Sequence, residues 1–337
     1  METVKIGLIG AGRIGRMHAG HIARLIPGAR LVAVADVALA AAQACAAECD
    51  APQAVGDYRA LLANPDVDAV VICSATDTHA QIIEDAAQAG KHIFCEKPIA
   101  LTLPTIDRAL AAADRAGVKL QVGFNRRFDA NFARVREAVA RGEIGQPDLL
   151  HIISRDPESP PLDYIKVSGG IFLDMMIHDF DMARFLIGAE VEEVYTEAAI
   201  RIDPAIAEAG DVDTAIVVLR FTNGVIGTID NSRRAVYGYD QRVEILGSGG
   251  AISIANNFPN TAVVSDQRGV RRDLPLHFFL ERYTASYIAE MTAFTNAIRH
   301  DQPTPVTGAD GRIPVVIGLA AHQSLQEHRP IRVANIG

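Results

Sequence analysis

The chain has 337 residues, about half of them apolar, which suffices for two domains with sizeable cores. A net charge of −9 argues against a nucleic-acid partner. No stretch approaches the roughly 18 uninterrupted apolar residues that a membrane span needs, and no basic cluster marks a membrane surface.

The apolar run Val4–Ile9 predicts a buried strand. It delivers the chain into Gly10-Ala11-Gly12-Arg13-Ile14-Gly15, and a helix follows from Ile14 to about Leu25. Gly10 permits the tight turn, and Gly12 has no side chain to block a pyrophosphate. Gly15 lets the helix pack close to the strand, and the helix N-terminus offers N–H groups and a partial positive charge to phosphates. The whole turn, Arg13 and Ile14 included, is the expected cofactor contact. A second strand, Leu31–Ala35, ends in Asp36, 21 residues past Gly15, where the motif expects a ribose-binding carboxylate. Val37, Ala38 and Leu39 follow with no basic residue for a 2′-phosphate, so NAD is expected over NADP.

Strands at Ala69–Cys73, His92–Cys95 and Lys119–Gly123 then alternate with helices at Ala38–Glu48, His79–Ala89 and Thr102–Ala116. This βαβ rhythm predicts a doubly wound parallel sheet over residues 1–123. Ligands bind such sheets beyond the carboxyl ends of the strands. The residues there are Ser74-Ala-Thr-Asp-Thr-His79, Glu96-Lys97-Pro98 and Asn125-Arg126-Arg127. Thr76 and Thr78 suit helix capping. His18 and His21, past the phosphate turn, read as packing or surface residues.

Residues 124–337 carry a different pattern: an α+β domain with a large open, mostly antiparallel sheet. A helix is expected at Ala130–Arg141 and a strand at Leu149–Ser154, with a Pro/Gly-rich loop from Asp156 to Gly170. Asn223-Gly224 marks a hairpin, and Gly247-Ser-Gly-Gly250 another turn. Helices at about Leu280–Arg299 and Ala309–Gln326 and a strand at Ile331–Val333 close the chain, and those helices could pack on either domain. The four cysteines lack zinc spacing and read as reduced thiols of a cytoplasmic protein. Strand one begins almost at once, which leaves no room for a signal peptide. Nor does metal-ligand spacing occur among the histidines, so no metal is expected.

The apolar segment Gly169–Ile187 reads as a buried helix carrying Asp174, His178 and Asp181 on one face. An Asp/His pair beside a dinucleotide domain suits proton transfer from an alcohol. A satisfied polar seam is the bland alternative.

The opening fingerprint, Glu96-Lys97-Pro98, Gly123-Phe-Asn-Arg-Arg-Phe-Asp129 and the Gly169–Phe185 segment together resemble the Gfo/Idh/MocA oxidoreductase family. The resemblance implies a Rossmann domain followed by an α+β domain whose open sheet builds tetramers. It implies Lys97, Asp174 and His178 as the catalytic set, with His178 taking the hydroxyl proton. It places Ser74, Thr76, His79, Glu96 and Lys97 at the cofactor. It places Arg127 with the catalytic set around a polyol substrate; Asp156, at a strand end, and Tyr237, in a Gly-containing loop at the pocket rim or an oligomer interface, are further polar positions that fit such a pocket. The implied reaction passes a hydride from a ring CH–OH of inositol to NAD. A pyranose or another cyclitol, a non-catalytic NAD sensor and an NAD-dependent glycosidase are the alternatives.

Overall fold

A computed structural model describes residues 3–336. It divides into two compact units, residues 1–125 with 285–315, and residues 126–284 with 316–337.

The first unit holds six parallel strands: β1 (Val4–Ile9), β2 (Ala29–Ala35), β3 (Gln53–Val55), β4 (Ala69–Ile72), β5 (His92–Glu96) and β6 (Leu120–Gly123). Between them run α1 (Arg13–Arg24), α2 (Leu39–Glu48), α3 (Tyr58–Leu62), α4 (Thr76–Gln88) and α5 (Leu103–Ala116). The sheet order β3-β2-β1-β4-β5-β6 reverses direction between β1 and β4. All four residues of β4 are buried, as are five of the six in β1. Strands covered on both faces read as unbroken apolar runs, and each fully buried Ile or Val contributes about 1.5–3 kcal/mol. Sequence patterning does not anticipate β3 and α3, because both are too short to develop a period.

The second unit begins with α6 (Ala130–Ala140), β7 (Pro147–Arg155) and α7 (Leu162–Ser168). The helix α7 lies inside the stretch expected to be loop. A π-helical turn, Ile171–Met175, leads into α8 (Ile177–Ile187). The strands β8 (Val191–Ala199), β9 (Thr214–Phe221), β10 (Ile226–Ser232), β11 (Asp240–Gly247) and β12 (Gly250–Ile254) follow. A separate hairpin pairs β13 (Val263–Asp266) with β14 (Gly269–Arg272). Then come α9 (Phe279–Arg282), α10 (Thr284–Arg299), α11 (Gly308–Glu327) and β15 (Ile331–Arg332). The seven-stranded sheet runs β12-β11-β7-β10-β9-β8-β15 and is antiparallel except for the β7–β10 pair. Gly224 turns the β9–β10 hairpin at φ +90°. The strict in/out alternation of β9 fixes which face is buried.

The sequence placed the domain boundary at residues 123/124 and left the last helices open. In the structure, α10 from residue 285 onward belongs with the first unit. Met291, Phe294 and Ile298 pack into the core formed by Val4, Ile6, Leu8, Ile22 and Phe94. A boundary drawn by chain order misses this, because the helix returns to a core built some 200 residues earlier.

Candidate active site

In the first unit, β1 ends at Gly10 and α1 begins at Arg13. Gly10 adopts φ +96°, and a Cβ there would lie 2.6 Å from the Cys73 backbone. At Gly15 a Cβ would sit 1.8 Å from the Gly10 carbonyl oxygen, so no side chain fits. At Gly12, by contrast, a Cβ would meet nothing within 4 Å. No side chain caps α1 at Gly12, and no acid sits in its first turn. The helix therefore presents backbone N–H groups and its positive dipole end to open space, which is what a pyrophosphate requires.

A cavity of about 400 Å³ adjoins this turn, lined by Gly10, Gly12, Asp36, Val37, Ser74, Ala75 and Thr78 among others. The Asp36 carboxylate accepts the Ala11 N–H at 2.7 Å through Oδ2 and the Ala38 N–H at 2.8 Å through Oδ1. Each oxygen keeps a lone pair for a ribose hydroxyl. Val37 beside it is 97% exposed and offers no cation to a 2′-phosphate. The residues present fit a dinucleotide.

Of the expected cofactor residues, Gly10, Gly12, Asp36 and Ser74 line this cavity. Arg13 and Ile14 open α1, and Thr76 opens α4. The capping expectation is corrected: α4 is capped at Ala75 without a side-chain bond. Thr78 Oγ1 instead donates to the Ala75 carbonyl, and Ser74 Oγ and Thr78 Oγ1 share a 2.7 Å hydrogen bond. His79 is buried, with Nδ1 2.8 Å from the Pro98 carbonyl and Nε2 3.1 Å from the Ser74 carbonyl. Burial pushes its pKa below the ordinary value, against the pull of those carbonyls. It therefore ties two strand-end turns together. Lys97 is half-buried at the end of β5, and its bond to Pro98 is cis.

The second unit carries a different kind of site. Gly169 and Gly170 both take left-handed backbone angles, and a Cβ on Gly170 would lie 2.6 Å from Asp211 Oδ1. That carboxylate accepts the Ile171 N–H at 3.0 and 3.1 Å. The π turn that follows breaks the four-and-three spacing expected of one continuous helix. Asp174 and Asp181 consequently have different partners. Asp174 accepts a hydrogen bond from Tyr164 at 3.0 Å and lies 4.0 Å from the buried Arg233 guanidinium. Asp181 is fully buried and takes a forked pair of bonds from Arg127, the closest at 2.6 Å. Half-buried His178 opens α8 one residue after Ile177.

Asp156 begins the loop after β7 and is pinned there by its backbone to Ser232 and Ala235. Desolvation pushes its pKa up to about 7, with Asp174 adding to the rise and Arg233 opposing it. Tyr237 donates to Asp240 at 2.6 Å and accepts from Arg155 at 3.2 Å. Arg155 itself grips Asp230. Sequence reasoning missed Arg233, Asp211 and Asp179. Arg233 immediately follows β10, a strand-end position that could have flagged it. Asp179 is fully buried and bonded to Arg126 at 2.5 Å and Asn231 at 3.0 Å. A smaller cavity of about 170 Å³, lined by Lys166, Gly170, Asp211 and His322 among others, touches none of the expected site residues.

Residues 4–124 match the NAD-binding Rossmann-fold domain of the Gfo/Idh/MocA oxidoreductases, and residues 132–253 match the C-terminal domain of the same group. The chain belongs to the Gfo/Idh/MocA oxidoreductase family. It is 48% identical to the myo-inositol 2-dehydrogenase of Thermotoga maritima, covering 99% of both chains. A crystal structure of a myo-inositol dehydrogenase from Corynebacterium glutamicum superposes with a TM-score of 0.93 at 40% identity, covering 98% of each chain. The scyllo-inositol dehydrogenase of Lactobacillus casei, with bound NAD(H) and scyllo-inositol, gives a TM-score of 0.92 at 32% identity, covering 98% of this chain and 99% of that one.

Two predictions come from this geometry. Steady-state kinetics should show kcat/KM for NAD at least about a hundredfold above that for NADP, since a 2′-phosphate would face Asp36 with no cation beside it. Asp36→Ser should narrow that ratio. For Asp156, a ¹³C-carboxyl NMR titration should show one aspartate ionising near 7 that is missing from Asp156→Asn. Because its pKa is raised on folding, its contribution to stability is full below the ordinary carboxylate range. That contribution falls as pH rises through about 7.

Proposed function

We propose that the chain is an NAD-dependent inositol dehydrogenase that removes a hydride from one ring CH–OH and leaves a ketone. The end-to-end likeness to inositol dehydrogenases described above carries this reading. NAD supplies the hydride acceptor when bound. The Gly10–Gly15 turn and the α1 N-terminus hold its phosphates, and Asp36 holds a ribose. Lys97 hydrogen-bonds the hydroxyl being oxidised. His178 accepts the hydroxyl proton, and Asp174 orients the substrate or the imidazole. Asp156, Arg127 and Tyr237 present hydrogen-bonding groups to the remaining ring hydroxyls. A site of this kind rejects analogues that leave those groups unpaired.

We assign this reaction to the cytoplasm, in keeping with four free thiols. Among the described residues no helix is long and apolar enough to cross a membrane. We also assign the exposed face of the seven-stranded sheet to contact with further copies of the chain, in a tetramer. Ile216, Val218, Ile226 and Leu246 on that face are 50%, 37%, 48% and 43% exposed. Ile226 and Leu246 both pair with Leu149, while Ile216 and Val218 stand two apart on β9 opposite Asp230 and Thr228, so the face mixes exposed apolar and polar groups as an interface between copies would.

Mixing the protein with NAD and a panel of inositols, glucose and xylose should produce NADH absorbance with an inositol. Silence across the inositols would sink the reading. Lys97→Ala and His178→Ala should each lower kcat by about a hundredfold or more, while calorimetry finds NAD affinity near normal. Wild-type turnover in either variant would remove that residue from the mechanism. Val218→Glu should convert the assembly to smaller species by light scattering while the fold, read by circular dichroism, persists.

A further inference from the structure

A buried cluster in the first unit has no part in the chemistry assigned so far. His18 on α1 is fully buried, the packing alternative of its sequence reading, and its Nε2 lies 2.8 Å from Glu96 Oε1. Glu290 on α10 is also fully buried, and neither of its carboxyl oxygens has a hydrogen-bond partner. One nitrogen of His18 and one carboxyl oxygen each of Glu96 and Glu290 all lie within 4.8 Å of one another. The other carboxyl oxygen of Glu96 packs over Gly123, where a Cβ would lie only 2.9 Å from it. Glu96 immediately precedes Lys97.

A carboxyl buried as fully as Glu290, with a second carboxyl this near, is costly to ionise. Burial, and then the charge of Glu96, push the Glu290 pKa far above the carboxylate range. The other titratable groups around it are few. His21 lies beyond His18 on α1, Cys73 follows β4, Cys95 is on β5, and Tyr287 packs edge-on to His18 from α10. Gln121 from β6 is neutral and donates to the Glu290 backbone carbonyl at 2.9 Å. Among the described residues no Lys or Arg forms an ion pair with Glu290, and a proton on its carboxyl makes the burial tolerable.

We propose that Glu290 is a positioning residue for the dehydrogenase: its polar head, standing within 4.8 Å of the hydrogen-bonded His18–Glu96 pair, steadies Glu96 and so the backbone from which Lys97 projects. This rests on the assignment of Lys97 to catalysis made above. His18 and Glu290 act through Glu96 and touch no substrate.

The test compares wild type, Glu290→Gln and Glu290→Leu. Glutamine keeps a neutral hydrogen-bonding group of the same shape, whereas leucine fills the space without one. Glu290→Gln should hold kcat within about twofold of wild type. Glu290→Leu should lose about ten- to a hundredfold in kcat with NAD affinity little changed. A group that merely fills space would leave kcat alike in both, and that result overturns the proposal. The proton is tested separately by Tm. A carboxyl whose pKa is raised on folding destabilises the protein increasingly as pH climbs above the carboxylate range. Glu290→Gln should therefore melt above wild type by a margin that widens from about pH 5 to about pH 8. A margin that ignores pH contradicts the proposal. So does Zn²⁺ raising the Tm of wild type but not of Glu290→Gln, which would make the cluster a metal site. Should wild type reduce no NAD with any inositol, the dehydrogenase reading and the positioning role fall together. The Tm series would still judge the proton on its own.

Discussion

A sheet covered on both faces has only its ends left for polar chemistry. In the first unit β4 is buried along its whole length and β1 all but Lys5, and the buried residues are apolar because any other choice would strand an unpaired polar group. Every group able to meet a charged cofactor must then sit where a strand stops. Gly10–Gly15 follows β1, Asp36 follows β2, Ser74 follows β4, and Glu96 with Lys97 closes β5. The reversal of strand order between β1 and β4 opens the crevice there, and the cavity bearing Gly10, Asp36 and Ser74 lies along it. The close approach of Gly15 to the Gly10 carbonyl follows from the same constraint, since α1 must cover the sheet at once.

The second unit solves a different problem. Its sheet has helices on one side and an open, partly apolar face on the other, and several of its buried charges come as matched pairs. Arg126 with Asp179, Arg127 with Asp181, and Arg282 with Asp129 are each joined at 2.6 Å or less. Such pairs add little net stability, yet removing one partner leaves a buried charge that costs about 3–5 kcal/mol. They act as locks on geometry. Arg127 shows the consequence: a residue expected to face substrate is engaged in a forked ion pair with Asp181, and any substrate contact it makes shares the guanidinium with that pair. Asp156 differs from these pairs, a carboxyl raised toward neutrality because Arg233 only partly offsets its burial and the nearby Asp174.

Local signals carried the chain far. The glycine turn, Asp36 and the βαβ rhythm are short-range features, and most of the long strands and helices were legible because their apolar period reflects which face they bury. Among the elements that escaped, β3, α3, α7 and β13–β14 are too short or too exposed to have such a period. The π turn at Ile171–Met175 escaped for another reason. Its backbone is shaped by Asp211, forty residues downstream, which accepts the Ile171 N–H and leaves room only for glycine at position 170.

By itself, the sequence determined the fold class, the dinucleotide turn and the residues at strand ends, because those depend on neighbours within a few positions. Tertiary structure alone decided which charges meet. That α10 returns to the first core, that His18 and Glu290 gather beside Glu96, and that Arg233 stands beside Asp174 depend on residues far apart along the chain. Pairing at such separations is set by how whole layers pack and by the need to neutralise each buried charge, and neither leaves a local pattern to read.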